Sequence, residues 1–266
     1  MDDDECYGFP AQMTHSQAQR LAARVFAARS RWRLYPTPAH AAAAAQRQEL
    51  TDLVLTHGTL RSQRGELWWL LTLPHGGPAI ASEYAAVAAR AADIPHAVAR
   101  QIELDLPRTF CEQADFAAAH AALEHDGSRR VDIARVIATA GKSGSGSSQD
   151  ALRRMLYAFA LLHPDCGYLQ SLNYVAAFCL IVVGRGVEDR AFAVFECVAA
   201  RLLAGYYADD MSALKLDSAV FSALLEERQP ALAAHLRAHA LEDLPSLFLP
   251  RWLLCVFLNC FPVSTL

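Results

Sequence analysis

The chain has 266 residues, of which 53% are hydrophobic, and a formal net charge of −4. This is enough apolar sequence for a large core, in one domain or two joined lobes. The slightly acidic balance excludes an overall basic face, so we do not expect nucleic acid as a partner.

The sequence shows no pattern typical of a secreted or membrane-spanning protein. The acidic start, "MDDDECYGF", lacks the apolar core of a signal peptide. The runs "YVAAFCLIVVG" and "LFLPRWLLCVFLNCF" fall short of the roughly 20 residues that span a membrane, so they predict buried helices. Seven scattered cysteines without a C-x-x-C pair predict reduced, mostly buried thiols in a cytosolic protein.

Apolar residues recur at helical spacing along the chain, and no segment shows a convincing strand alternation. The sequence therefore predicts an all-α fold with mostly short connections. The predicted helices lie within residues 16–30, 48–58, 92–104, 150–164, 187–203 and 229–244. In the segment 92–104, Asp93 is a candidate N-cap with Pro95 near the first turn. In the segment 187–203, Phe192, Phe195, Ala199 and Leu202 are expected to form a buried stripe.

Three segments rich in turn-forming residues are predicted to be loops. "LPHGGPA" at 73–79 is a turn cluster, and "GKSGSGSSQD" at 141–150 is a flexible connection. "HPDCGY" at 163–168 separates two helices. The second loop superficially resembles a phosphate-binding loop, but Val136 stands where that pattern needs its first glycine.

Two histidine patterns leave metal chemistry open. His235 and His239 lie four apart on a predicted helix and could share an ion. His125 and Asp126 form an H-D pair of the kind found in all-helical metal phosphohydrolases, although a turn or cap role for Asp126 is simpler. Completing such a site would need separate ligands, for which His96 and Asp165 are available.

The segment "IELDLPRTF" places a proline directly before an arginine at the end of a predicted helix. Ile102 and Leu106 are four apart and are expected to share a buried face. Asp105 and Arg108 are three apart and would pair if the turn persists. Pro107 disfavours helical geometry at Leu106, so it would end the helix and present Arg108 from a fixed point.

The segment "GYLQSLNYVAAF" begins a second helix after a turn at Gly167. Gln170 and Asn173 are expected to lie on one face of the first turns of this helix. Alone, such a polar pair at a helix start is often only a matter of capping and solvation.

Together, the two segments match a known signature. Ile102, Asp105 and Arg108 form I-x-x-D-x-x-R, and Tyr168 and Gln170 form Y-x-Q some sixty residues later. The chain thus resembles TBC-domain proteins, the GTPase-activating proteins of Rab GTPases. Further elements agree: an R-G-x-x-W motif at Arg64, Gly65 and Trp68, a "GYY" and a late W-x-x-x-x-F helix. The family's usual glycine after the glutamine is replaced by Ser171.

The resemblance implies an all-α, two-lobed, V-shaped fold. Residues 50–266 would form the TBC domain, truncated at its C-terminal end. Residues 1–49 would be an N-terminal helical extension or the first helices of the domain.

The resemblance also implies roles for individual residues. Arg108 corresponds to an arginine finger and Gln170 to a glutamine finger, both supplied in trans to a GTP-bound Rab. The chain would be an activator and not itself an enzyme, with no cofactor of its own, because GTP and Mg²⁺ arrive with the Rab. It would work in vesicle trafficking, in the cytoplasm, with peripheral recruitment to endomembranes through the Rab. The supporting residues would be Asp105, Tyr168, Ile102 and Asn173, and the structural ones Arg64, Gly65, Trp68 and Gly167.

Two alternatives stay open at this point. Ser171 is compatible with a catalytically inactive TBC fold that binds Rab as a scaffold. The His125-Asp126 pair is compatible with a helical HD-type metal phosphohydrolase.

Overall fold

The described part of the chain is built almost entirely from helices, which confirms the predicted all-α class. The structure is a computed structural model and describes residues 6–7, 20, 48, 51–52, 59–110, 147–208, 210–258 and 260–261. Most of the predicted helices at 16–30 and 48–58, the His125-Asp126 pair and most of the Gly/Ser segment lie outside these residues.

Nine α-helices account for most of residues 59–110 and 147–261. Short 3-10 turns join several of them, at Leu73–His75, Ala91–Asp93, Leu106–Arg108 and Arg185–Val187, and one π-helical stretch covers Cys197–Leu202. In chain order the helices are α1 (Arg61–Thr72), α2 (Gly77–Ala88), α3 (His96–Asp105), α4 (Ser148–Leu162), α5 (Leu172–Val183), α6 (Glu188–Glu196), α7 (Ser212–Arg228), α8 (Pro230–Ala238) and α9 (Leu244–Leu254).

A minimal β-ladder, which the sequence did not predict, joins two distant segments. Strand β1 (Cys6–Tyr7) pairs antiparallel with β2 (Thr59–Leu60), with Cys6 opposite Leu60. Two residues per strand are too few for the period-two alternation that would reveal them in the sequence.

Helix α4 shows why the strongest sequence signals were reliable. Its N-terminus carries a capping box: the Ser147 hydroxyl accepts from the Asp150 amide, and the Asp150 carboxylate accepts from the Ser147 amide. It ends at Leu162, before the predicted break at Pro164. The four apolar residues predicted for its inner face are all buried, namely Leu152, Met155, Leu156 and Phe159.

The predicted start of α3 was wrong. The helix begins at His96 with Pro95 as N-cap, and no side chain caps it. Asp93 instead ends a 3-10 turn and accepts from Arg90 at 2.9 Å. The reason is Pro95 itself, because the residue before a proline favours extended geometry, and Ile94 adopts it (φ −67°, ψ 135°).

The predicted stripe along residues 187–203 holds only in part. Phe192, Phe195 and Ala199 are buried, but Leu202 is 67% exposed. The backbone changes from α to π geometry at Cys197. A π-helix needs more residues per turn, so it shifts later side chains out of the phase set by α6.

The chain divides into two compact units. One contains, among the described residues, positions 59–86 and 178–197, where α1 packs on α6 and Leu67, Leu70 and Phe192 are buried. The other contains positions 87–177 and 198–261, where α3 packs on α4, and α7 packs on α8 and α9. None of the described helices combines the length and apolarity that crossing a membrane requires.

Candidate functional site

The arginine predicted to act sits on a short turn at the end of α3, which we call the arginine turn (residues 105–109). Helix α3 ends at Asp105, and a 3-10 turn then carries Pro107 and Arg108. Ile102 and Leu106 are fully buried, as predicted, and anchor the turn in the core. Leu106 itself keeps helical dihedrals (φ −51°, ψ −48°), so the predicted loss of helical geometry there was wrong. The chain tightens to 3-10 geometry instead.

Arg108 is exposed, and its guanidinium has no hydrogen-bond or ion-pair partner among the described residues. The sequence suggested that Asp105 would pair with it. In the structure the Asp105 carboxylate is buried and accepts from the Tyr168 hydroxyl at 2.8 Å. The Arg108 charge therefore faces solvent.

The second motif forms a turn that leads into α5, which we call the glutamine turn (residues 167–173). Gly167 has φ +58°, a conformation that glycine adopts without strain, and its amide donates to the His163 carbonyl at 2.8 Å. Gln170 lies just before the helix and is exposed. Asn173 is only 1% exposed, so the prediction that it shares a face with Gln170 was wrong. Helix α5 starts at Leu172, which leaves Gln170 outside the helical repeat.

Two buried hydrogen bonds, which we call the clamp, join the arginine turn to the glutamine turn. The Tyr168 hydroxyl donates to Asp105 Oδ2 at 2.8 Å. The Asn173 amide Nδ2 donates to Thr109 Oγ1, also at 2.8 Å. The first bond joins the residues that precede Arg108 and Gln170 in the chain, and the second joins the residues that follow them. Each exposed side chain therefore lies between two residues that the clamp holds.

Aromatic packing and electrostatics reinforce the clamp. Phe110, directly after the arginine turn, packs edge-on against Tyr174 with ring centroids 5.4 Å apart. Burial, and then the Asp105 carboxylate, raise the pKa of the Tyr168 phenol well above its usual range. The phenol therefore stays protonated and remains a donor at every physiological pH.

A second polar cluster fixes α3 against α4. Glu103 is 4% exposed and accepts from Arg153 at 2.7 and 3.1 Å, and from the Tyr157 hydroxyl at 3.1 Å. Burial, and then Glu103, raise the pKa of Tyr157. This cluster supports the helix from which the arginine turn projects.

Sequence reasoning missed Thr109 and this Glu103 cluster. Their partners are 50 to 64 residues away in the chain, so no local spacing reveals them. The one available signal was the density of polar residues on an otherwise apolar helix end.

The R-G-x-x-W residues lie in the other compact unit, as part of α1. Arg64 is buried. A Cβ on Gly65 would lie 2.5 Å from the Val182 carbonyl oxygen, so only glycine fits there. Trp68 packs edge-on against Phe178 at 5.6 Å. These contacts give the motif a packing function.

The histidine patterns lead no further in the described residues. His239 lies 2.9 Å from the His235 carbonyl oxygen through Nδ1, which must donate because a carbonyl only accepts. No group of three or more His, Cys, Asp or Glu in the described ranges is placed to hold a metal. His125 and Asp126 lie outside them.

Comparison with known proteins agrees with this fold and these motifs. The family described as Rab-GTPase-TBC domain matches residues 123–266. The chain is 34% identical to mouse (Mus musculus) TBC1 domain family member 2A over 211 residues, covering 79% of this chain and 20% of that protein. It is 31% identical to rat (Rattus norvegicus) growth hormone-regulated TBC protein 1 over 124 residues, covering 47% and 42%. The crystal structure of the Ypt/Rab-GAP domain of Gyp1p superposes with a TM-score of 0.57 at 17% identity, covering 82% of this chain and 70% of that one.

The matched family model covers more than half of the chain, so the protein belongs to the Rab-GTPase-TBC domain family, called the TBC family below. The structural match independently shows the all-helical TBC fold. The chain spans less than half the length of the curated relatives named above.

Proposed function

We propose that this chain is a GTPase-activating protein for Rab-family small GTPases, which supplies Arg108 and Gln170 to the active site of its GTP-bound partner. One observation carries the proposal: both side chains are exposed, and neither has a hydrogen-bond partner among the described residues, yet both stand on turns clamped together by buried hydrogen bonds. An exposed cation and an exposed amide on two turns that are held together suit a phosphate supplied by another protein.

The chemistry of GTP hydrolysis explains why these two residue types would work together. Water attacks the γ-phosphate, and catalysis consists of positioning and charge stabilisation. A guanidinium offers two parallel N–H donors to the phosphate oxygens, a geometry that lysine cannot reproduce. Such an arginine is worth about 10³- to 10⁵-fold in rate, or about 4 to 7 kcal/mol. A glutamine amide can accept from the attacking water and donate to a phosphate oxygen at the same time.

The remaining components belong to the partner. The chain would provide no cofactor of its own, since GTP and Mg²⁺ are bound by the Rab. It would act in vesicle trafficking, in the cytoplasm and at endomembranes to which the Rab recruits it. The activating domain would extend over residues 50–266, because α1 to α3 precede the family-matched segment and α3 carries the arginine turn.

Single-turnover GTP hydrolysis by a panel of GTP-loaded Rabs tests this proposal. The wild-type chain should accelerate at least one Rab, and Arg108→Ala and Gln170→Ala should each abolish most of that acceleration. Arg100→Ala and Gln101→Ala are matched controls, because both residues are exposed on α3 and precede the arginine turn by at least four residues. They should match the wild type.

The alternatives give different results. If no Rab in the panel is accelerated by the wild type, the activator proposal fails. Rab binding that survives Arg108→Ala without any acceleration by the wild type would identify a scaffold. A stoichiometric transition metal in the purified protein would favour the metal phosphohydrolase.

A further inference from the structure

We infer that Thr109 is a positioning residue that orients Gln170 through Asn173 and the backbone amide of Ser171. The inference rests on the proposed function, since it concerns how the two candidate catalytic side chains are kept in register. It adds to the motif a residue that touches neither partner nor nucleotide.

The Thr109 hydroxyl occupies a junction between the two turns. Thr109 is 1% exposed. Its Oγ1 donates to the Asp105 carbonyl, one turn earlier, at 2.8 Å, and accepts from Asn173 Nδ2 at 2.8 Å. Its own amide donates to the Leu106 carbonyl at 3.2 Å. Thr109 is thereby fixed to the arginine turn and reaches across to the other turn.

The other end of the Asn173 amide reaches the peptide that follows Gln170. Asn173 Oδ1 accepts from the Ser171 N–H at 3.1 Å, and both residues are buried. That N–H belongs to the planar peptide unit between Gln170 and Ser171. Holding it fixes the orientation of the backbone on the C-terminal side of Gln170, and so the direction in which the glutamine side chain leaves the turn.

Hydrogen-bond polarity makes this relay directional. The single proton of the Thr109 hydroxyl is committed to the Asp105 carbonyl, so only its lone pairs face Asn173. The Asn173 amide must then present its NH₂ group to Thr109 and its oxygen to the Ser171 N–H. Rotating the amide by 180° would place donor against donor at Ser171. The Thr109 hydroxyl and the Ser171 N–H together therefore fix which way the Asn173 amide points.

This relay differs in purpose from the Tyr168–Asp105 bond. That bond ties the two turns together on the side preceding Arg108 and Gln170, through a side chain two residues from the glutamine. The Thr109 relay acts on the adjacent peptide, and its loss would leave the fold's larger contacts in place. Its effect should thus appear in the catalytic step more than in Rab binding.

The test compares Thr109→Val, Thr109→Ser and Asn173→Asp. Valine keeps the shape of threonine and removes the hydroxyl, serine keeps the hydroxyl, and aspartate keeps an acceptor for Ser171 but loses the donor to Thr109. The limiting single-turnover rate on a responsive GTP-loaded Rab, the Kd for that Rab, and hydrogen exchange of a peptide covering residues 168–173 are measured for each.

We expect Thr109→Val and Asn173→Asp to lower the limiting rate by about tenfold or more, which corresponds to a rise of about 1.4 kcal/mol in the activation free energy. Kd should change less than twofold, exchange at 168–173 should rise, and Thr109→Ser should behave as the wild type. An unchanged rate for Thr109→Val overturns the inference, and so does an equal loss with Thr109→Ser. If the wild type accelerates no Rab, the proposed function fails, and unchanged exchange in Thr109→Val would then overturn the relay by itself.

Discussion

Ser171 stands where the family usually has glycine, and its backbone explains that usage. Its φ is +124°, a region in which side chains other than hydrogen are strained. Its hydroxyl partly opposes the burial that raises the pKa of the Cys255 thiol. Ser171→Gly should relieve the strain, while Ser171→Ala keeps the strain and removes only the hydroxyl. Comparing these two variants isolates the backbone effect.

The size of the effect follows from two opposing free energies. A residue in such a conformation costs about 1 to 3 kcal/mol. Glycine gives back about 0.4 to 1 kcal/mol through the greater entropy of the unfolded chain. Taking the middle of each range, Ser171→Gly should be about 1 kcal/mol more stable than Ser171→Ala, or about 2 to 4 °C higher in Tm.

Urea unfolding followed by circular dichroism measures this difference, with a thermal scan as a second reading. The m-values of the two variants should agree, so that midpoints report stability alone. If Ser171→Gly is equal to or less stable than Ser171→Ala, the left-handed geometry at this position is not a source of strain. The argument about the glycine would then be refuted.

Three further changes test other parts of the structure. Gly65→Ala should destabilise the protein by about 1 to 3 kcal/mol, because its Cβ would meet the Val182 carbonyl at 2.5 Å, and an unchanged urea midpoint would contradict that contact. Tyr168→Phe should lower the free energy of unfolding in urea by about 1.5 to 3 kcal/mol, because the buried Asp105 loses its donor. Asp105→Asn should destabilise the Tyr168→Phe variant much less than it destabilises the wild type. Asp150→Ala should cost about 1 kcal/mol at pH 7 through the lost capping box. Burial alone would raise the pKa of Asp150, but hydrogen bonds from Ser147 and the charge of Arg153 bring this pKa below 3.8. The stabilisation by the Asp150 carboxylate is therefore present above pH 3.8 and is lost as the pH falls further. The Tm difference from wild type should shrink toward pH 3, and a difference that grows there would contradict the sign.

The sequence predicted helices well where apolar periodicity was long and flanked by breakers. Helix α4 is the clearest case, since its buried face and its end before Pro164 both follow from local rules. Local rules failed where backbone geometry changed, as at Leu202 after the π-helical stretch. They also failed at Asp93, where Pro95 delayed the start of the helix.

The site was accessible from the sequence only as a pattern of residue types. The motif spacing identified Arg108 and Gln170 as candidates, and the structure places both on exposed turns. The motif spacing could not show that Asp105 hydrogen-bonds to Tyr168 and not to Arg108, or that Asn173 is buried. Both facts depend on contacts between segments 63 and 64 residues apart, which no local propensity encodes.

The central claim is that Arg108 and Gln170 act together on the nucleotide of a Rab. The most direct measurement is the single-turnover rate of GTP hydrolysis by a responsive Rab at saturating concentrations of wild type, Arg108→Lys and Gln170→Ala. We expect the wild type to raise the rate by about 10³-fold or more. Arg108→Lys should lose most of that gain despite keeping its charge, because lysine lacks the planar fork, and Gln170→Ala should lose a similar part. Full activity in both variants, with folding intact, would contradict the account.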